Sequence, residues 1–327
     1  MRHPSRPAPA AVEKFAAGLA ALFPGPGRLG VAVSGGPDSM ALLLLADAAL
    51  DGAVEAATVD HGLRLESGAE AALVADLCRQ MGVTHEIIRV DVAAGNLQSA
   101  ARMARYHALN AWAARRGLAA LATAHHADDQ AETLLMRLNR GSGLAGLSGI
   151  RATGSAPEGG GLLVRPLLDW RKAELLEIVT TAGVDFVADP SNQDDRFDRV
   201  AMRRNLAAAD WLDAMAIARS ARHLAEAECA LNAMIGGIWS DAVTHENGAC
   251  IYFPGRAPAA GRAFIDKEII GRIIGKDTSA RGSEIARAVA RLSRGEPATL
   301  GGKQAGVTTR EGQIAWKFTA EAPRRGS

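Results

Sequence analysis

The stretch Leu29-Gly-Val-Ala-Val-Ser-Gly-Gly-Pro-Asp-Ser-Met40 runs from an apolar strand-like segment directly into an apolar helix-like one. The turn between them is Ser34-Gly35-Gly36-Pro37-Asp38-Ser39. Two adjacent glycines let the backbone take positive φ and approach a bulky anion. Pro37 suits the first turn of a helix, where a missing N–H is tolerated. The unpaired amides of that turn and the positive end of the helix dipole then face a phosphate group. Ser34 and Ser39 can add hydroxyl hydrogen bonds. Asp38 is the odd member, since a carboxylate repels phosphates; it fits a role in orienting a bridging magnesium ion, or in holding a reacting group. A plain glycine-rich turn with a Ser or Asp cap would explain an isolated Ser-Gly-Gly. It explains the full set, placed in the first strand–helix unit, less well.

Working outward, strand-like runs Leu29–Val33, Val54–Val59, Thr84–Val90 and Leu118–Thr123 alternate with helix-like runs Pro37–Leu50, Ser67–Met81, Ser99–Arg116 and Asp128–Leu138. Strands separated by helices of this length predict βαβ units and a parallel sheet. The stretch Arg140–Gly161, dense in Gly, Ser and Ala, reads as a long loop. The apolar run Leu162–Leu168 leads into a helix over Arg171–Ala182. Ala188–Asp195 is a turn cluster, and the pattern from Asp210 to Ile238 is mainly helical. Beyond Asp241 the chain changes character, with scattered glycines and a helix-like Gly282–Ser293. The expected division is a disordered start over 1–10, a nucleotide-binding domain over 11–210, and a helical linker with a smaller domain over 211–327.

The 327 residues carry a net charge of only +1, so nucleic-acid binding would rest on local arginine clusters. Cys78, Cys229 and Cys250 show no CxxC spacing, which argues against a disulfide framework, a zinc site and an iron–sulfur cluster. The longest apolar stretch, Met40–Leu50, contains Asp47 and is too short to span a bilayer. The start, Met1–Pro9, lacks a signal-type apolar region, so a cytoplasmic location is expected. Two motifs are decoys. Gly25-Pro-Gly-Arg-Leu-Gly30 precedes a strand instead of following one, and Gly271-Arg-Ile-Ile-Gly275-Lys276 is one residue short of a Walker loop.

A second cluster, Thr123-Ala-His-His-Ala-Asp-Asp-Gln-Ala-Glu-Thr133, closes the fourth strand. In a parallel sheet, strands 1 and 4 can flank the crevice where strand order reverses, which would bring His125 and His126 near the phosphate loop. Asp128 reads equally as a helix cap. Val59-Asp-His-Gly-Leu-Arg64, Ala101-Arg-Met-Ala-Arg-Tyr106 and Asp189-Pro-Ser-Asn-Gln-Asp194 lie in loops or helix starts on the same side.

Taken in order, SGGPDS, VDHGLR, ARMARY, AHHADDQAETLLMRLNRGSGLAGL, RPLL and DPSNQD resemble the tRNA(Ile)-lysidine synthetase family of the PP-loop ATP pyrophosphatases, in its compact form. The resemblance implies an α/β fold: a parallel five-stranded doubly wound sheet, adenine nucleotide alpha-hydrolase-like, with a helical extension and a smaller C-terminal α+β domain that binds tRNA. It implies ATP, Mg2+, free L-lysine and a tRNA(Ile) with a CAU anticodon, whose wobble cytidine becomes lysidine with release of AMP and pyrophosphate. A homodimer stays open. By resemblance, Asp38, Arg105, His125 and Asp129 are catalytic. Ser34, Gly35, Gly36, Pro37, Asp38, Ser39, Asp60, His61, Arg64 and His126 hold the nucleotide, with Asp38 at the metal. Arg137, Arg140, Arg199, Arg203 and Arg204 are candidate RNA contacts; a solvated helix face accounts for each cluster as well. The chain departs from the family after DPSN, where Val200 and Ala201 replace two polar positions. Alternatives are a tRNA thiolase, a small-molecule amide ligase, or a nucleotide sensor that has lost catalysis.

Overall fold

The computed structural model describes residues 3–62, 67–90, 97–187, 198–275 and 282–321. Arg64, the DPSNQD segment and Lys276 lie outside the described residues. The chain divides into two compact units, Met1–Ala225 and Glu226–Ser327.

The first unit opens with α1 (Pro9–Leu22), β1 (Leu29–Ala32), α2 (Pro37–Leu50), β2 (Val54–Asp60), α3 (Ser67–Met81), β3 (Thr84–Arg89), α4 (Leu97–Arg116) and β4 (Ala120–Ala122). It continues with α5 (Ala127–Asn139), α6 (Leu144–Leu147), β5 (Thr153–Ser155), β6 (Leu162–Val164), α7 (Lys172–Ala182), α8 (Asp198–Ala208) and the start of α9 (Ala214–Ala242). The sheet order is β3-β2-β1-β4-β6-β5. The five parallel strands expected from the sequence are present, and β5 adds a sixth, antiparallel to β6. The expected loop over Arg140–Gly161 therefore holds a one-turn helix and an edge strand. That strand, Thr153-Gly-Ser155, is exposed throughout and carries no apolar alternation to announce it. Its pairing with β6 alone makes it a strand. The amino-terminal residues, expected to be disordered, include Ser5, whose backbone N donates to the carbonyl of Ala182 at 3.1 Å.

Period-2 alternation sorts the sheet residues onto two apolar faces. Leu29, Val31, Val54, Ala56, Ala120, Ala122 and Val164 pack with α1, α2, α3 and α7. Ala57, Leu121 and Leu163 pack with Tyr106, Leu109 and Trp112 of α4 on the other side. Helix α2 is apolar nearly all round because it is central: Ser39 through Ala46 are all buried. Each fully buried leucine there contributes roughly 1.5–3 kcal/mol of burial free energy. Gly30 faces α4, and a Cβ there would stand 2.8 Å from the Trp112 ring.

The second unit contains the end of α9, β7 (Val243–Glu246), β8 (Ala249–Tyr252), α10 (Arg262–Ile274), α11 (Gly282–Ser293), β9 (Ala298–Leu300), β10 (Lys303–Arg310) and β11 (Gln313–Ala320). Its antiparallel sheet, β7-β8-β11-β10-β9, and its helices close on a core of their own that includes Tyr252, Ile269, Ile270, Leu292, Trp316 and Phe318. The Walker-like decoy lies in the last turn of α10, with Gly275 as its C-cap.

Candidate active site

The site forms at the carboxyl ends of the parallel strands, where β1 and β4 are neighbours and the chain leaves in opposite directions across the sheet. After β1 the backbone turns through Gly35 at φ +87°, a left-handed value that favours glycine. The carbonyl of Gly35 accepts from the backbone N of Val187 at 2.9 Å. Pro37, Asp38 and Ser39 form the first turn of α2, and the first intrahelical donor is Met40 N to Gly36 O at 3.0 Å. The amides of Asp38 and Ser39 thus precede the helical ladder and lack an intrahelical acceptor. The Ser39 hydroxyl donates to Gly36 O at 2.9 Å, accepts from Ser34 N at 3.1 Å and lies 3.2 Å from the Ser34 hydroxyl. Ser39 is buried, so its hydroxyl shapes the loop from behind.

His126 is the hub of the second cluster. Its side chain is 5 % exposed. Nε2 lies 3.5 Å from Asp38 Oδ2 and 3.5 Å from Asp129 Oδ2, and Nδ1 lies 3.4 Å from Asp128 Oδ2. Burial alone would lower its pKa. The carboxylates of Asp128 and Asp38, with the charge of Asp129, outweigh burial and push it up to about 10. At pH 7 the residue is therefore a buried imidazolium among three acids. Asp129 accepts from the His126 backbone N at 3.1 Å, closing the start of α5. Asp128 accepts from Lys172 N at 2.8 Å and ties α5 to the start of α7. Burial works against its ionisation, but His126 and the Lys172 amide hold its pKa down at about 2.

His125 lies in the opposite electrostatic setting. Burial lowers its pKa to about 4; Asp129 opposes this, and the charges of Arg165, Arg102 and Arg105 add to it. Thr123 Oγ1 stands 3.1 Å from its Nδ1. Arg102 and Arg105 flank the Tyr106 ring, their guanidinium carbons 5.1 and 5.8 Å from its centroid. Burial lowers the pKa of Arg105, and likewise that of Arg165. Burial, reinforced by the charge of Arg105 and opposed by that of Asp60, lowers the pKa of His61. Asp60 accepts from Gly62 N at 2.9 Å. Hydrogen bonds from Ser67 and from the Gly62 amide keep its carboxyl below the usual range.

The candidate RNA contacts separate into two groups. Arg203 grips the buried Glu132 with two bonds, Nε to Oε1 at 2.7 Å and Nη2 to Oε2 at 3.3 Å. Arg199 donates to Thr133 Oγ1 at 3.3 Å, and together they pin α8 to α5. Arg137 donates to the carbonyls of Gly146 (2.8 Å) and Gly149 (3.1 Å), bracing the loop after α5. Arg140 and Arg204 are exposed. Sequence reasoning passed over Glu132, Arg102 and Arg165. All three stand inside the quoted motifs, so the signal was present, but a lone charge in a motif does not disclose its partner.

This loop and the α/β sheet behind it define a PP-loop protein, and the family model for the PP-loop domain matches residues 10–209. The chain is 45 % identical to the tRNA(Ile)-lysidine synthase of Novosphingobium aromaticivorans, over 96 % of this chain and 95 % of that protein. It is 42 % identical to the enzyme of the same name from Zymomonas mobilis, over 91 % and 90 %. The chain belongs to the tRNA(Ile)-lysidine synthase family. Among solved structures, the U34-tRNA thiolase NcsA of Methanococcus maripaludis matches with a TM-score of 0.55 at 17 % identity, covering 66 % of this chain and 79 % of that one, a likeness of fold.

Proposed function

We propose that this chain joins the ε-amine of free lysine to C2 of the wobble cytidine of a CAU-anticodon tRNA(Ile), through an adenylated cytidine, releasing AMP and pyrophosphate. The observation that carries this reading is the meeting of the phosphate loop with two opposed charge fields. Asp38, Asp128 and Asp129 surround His126, while Arg102, Arg105 and Arg165 act on His125. Cytosine O2 is a poor leaving group. In the first step O2 attacks the α-phosphorus of ATP and pyrophosphate departs; in the second, the amine attacks C2 and AMP departs. The loop amides and the arginines stabilise the negative charge that develops on the phosphates.

The lysine amine must lose a proton before it attacks, against a reference pKa of ~10.4. A proton on His125 would add a fourth positive charge beside three guanidiniums. The Asp129 carboxylate, 3.5 Å from His126 Nε2, carries the charge that attracts the lysine ammonium beforehand. We assign the base to Asp129, and to His125 the role of a neutral hydrogen-bonding partner for the activated cytidine.

Asp38 fits a magnesium ion. Its Oδ1 is buried without a hydrogen-bond partner, and a single carboxylate completed by phosphate oxygens suits this hard cation. When bound, the ion would neutralise charge on the ATP phosphates. Three free cysteines, of which Cys78 is buried with its thiol pushed up to about 12, argue against a sulfur-transfer reading. Residues beyond 210 are assigned to gripping the tRNA body, and the cytoplasm is where ATP, lysine and tRNA meet. The test is direct: labelled lysine, ATP and matched tRNA transcripts with CAU or GAU anticodons. Lysine should appear only on the CAU transcript, with pyrophosphate released; incorporation into neither, or into both alike, overturns the reading.

A further inference from the structure

Trp211 is 80 % exposed, whereas Trp112, Trp170 and Trp316 are 1 %, 3 % and 2 % exposed. Tryptophan is normally well covered, so an indole left in solvent calls for a partner. The residue lies in the short turn between α8 and α9, and that turn is firmly held. Leu212 N donates to Ala209 O at 3.0 Å, and Met215 N donates to Asp213 Oδ1 at 3.0 Å. Asp213 in turn accepts from Arg171 Nη2 at 2.6 Å. The residue after Arg171 is Lys172, whose backbone N donates to Asp128 Oδ2, next in sequence to Asp129. Two hydrogen bonds thus link the turn that carries the indole to the acid cluster of the active site. The turn carries Asp210 and Asp213, and two arginines act on Asp213 from outside it: Arg171, bound to it, and Arg219 on the first turns of α9.

A rigid, exposed aromatic face on a turn with Arg171 and Arg219 beside it matches a polyanion that also presents unstacked rings. We propose that Trp211 is a stacking platform for an unpaired base of the tRNA anticodon loop, a neighbour of the cytidine delivered to the active site. The inference rests on the tRNA reading above. Displacing one base into a pocket leaves adjacent bases without a stacking neighbour, and the indole supplies a replacement at the rim. Stacking needs no ion release, so this contact should be insensitive to salt, unlike the arginine contacts beside it.

The full chain, Trp211→Ala and Trp211→Phe are titrated with CAU-anticodon tRNA at several salt concentrations. Tryptophan fluorescence, ATP affinity, thermal melting and sedimentation are recorded alongside. Trp211→Ala should weaken tRNA binding about five- to 150-fold, equivalent to ~1–3 kcal/mol for one base–aromatic stack, with an unchanged salt slope. Trp211→Phe should stay within a few-fold of wild type yet lose the fluorescence quench that tRNA causes in the wild-type chain. Melting and ATP affinity should be the same in all three. Wild-type affinity in Trp211→Ala overturns the proposal, as does Trp211-dependent self-association without any effect on RNA. Failure of the wild-type chain to bind this tRNA at all would instead strike at the function on which the proposal rests.

Discussion

Nε2 of His126 lies 3.5 Å from Oδ2 of Asp38, joining the end of β4 to the phosphate loop after β1 through a buried imidazolium. Without that positive charge, three carboxylates would face one another across the site. The pKa of His126 is raised from 6.5 to about 10, so the folded chain keeps a proton that the unfolded chain releases near 6.5. Its stabilisation is complete below pH ~6.5 and is lost as pH rises through about 10. His126→Gln should lower the melting temperature at pH 7. It should also flatten the decline of stability between pH 7 and 10 that the wild type shows. Parallel declines in the two proteins would remove His126 from this role.

The division of labour proposed for His125 and Asp129 would separate the two chemical steps. Asp129→Asn should still release pyrophosphate on tRNA but join lysine at least ~10²-fold more slowly, the scale of a lost general base. His125→Gln, which keeps a neutral hydrogen-bonding group, should retain far more of the second step. Single-turnover assays of pyrophosphate and of lysine incorporation would read both. Equal loss of both steps in Asp129→Asn would assign its carboxylate to ATP handling.

Much of this site was legible because its chemistry is local in sequence. The phosphate loop is six consecutive residues, and His125, His126, Asp128 and Asp129 lie within one strand-to-helix turn. Alternation of β and α segments disclosed four of the parallel strands, and the resemblance implied the fifth. Edge strand β5 escaped because Thr153-Gly-Ser155 has no buried face, so no apolar pattern marks it. The second sheet was expected only through the resemblance, as part of an α+β domain, and its strands were not placed one by one: β7, β8 and β9 are short and β10 is largely polar. The role of Arg203 also could not be read in advance. Its partner Glu132 is 71 residues away, and only the fold reveals that α8 lies on α5.

That pairing changes how the arginines of α8 should be tested. Arg203→Ala leaves the Glu132 carboxylate buried without its partner, a change that costs several kcal/mol when both groups are buried. Side-chain exposure of 35 % for Arg203 discounts this to about 1–3 kcal/mol. The variant should melt earlier, and Glu132→Gln in the same chain should recover part of the loss. Arg204 is exposed, and Arg204→Glu should weaken tRNA binding and reduce its salt slope by about one. Unchanged tRNA affinity across the salt titration would remove Arg204 from the RNA surface.

Gly35 offers a test of the loop itself. At φ +87°, any L side chain is strained, and a Cβ would sit 3.3 Å from Val187 Cγ2 and 3.7 Å from the Glu70 carbonyl. The backbone cost alone is roughly 1–2 kcal/mol. The Gly35 carbonyl also accepts from Val187 N, so relieving the clash means shifting that contact and the loop together. Gly35→Ala should therefore raise the KM for ATP at least tenfold while lowering stability by about 1–2 kcal/mol, with tRNA affinity little changed. Gly36 has φ −73° and nothing nearer than the Ser34 hydroxyl at 3.8 Å, so Gly36→Ala provides the contrast. A chain in which Gly35→Ala and Gly36→Ala behave alike in ATP titrations would show that the left-handed turn at Gly35 is not what shapes the phosphate site.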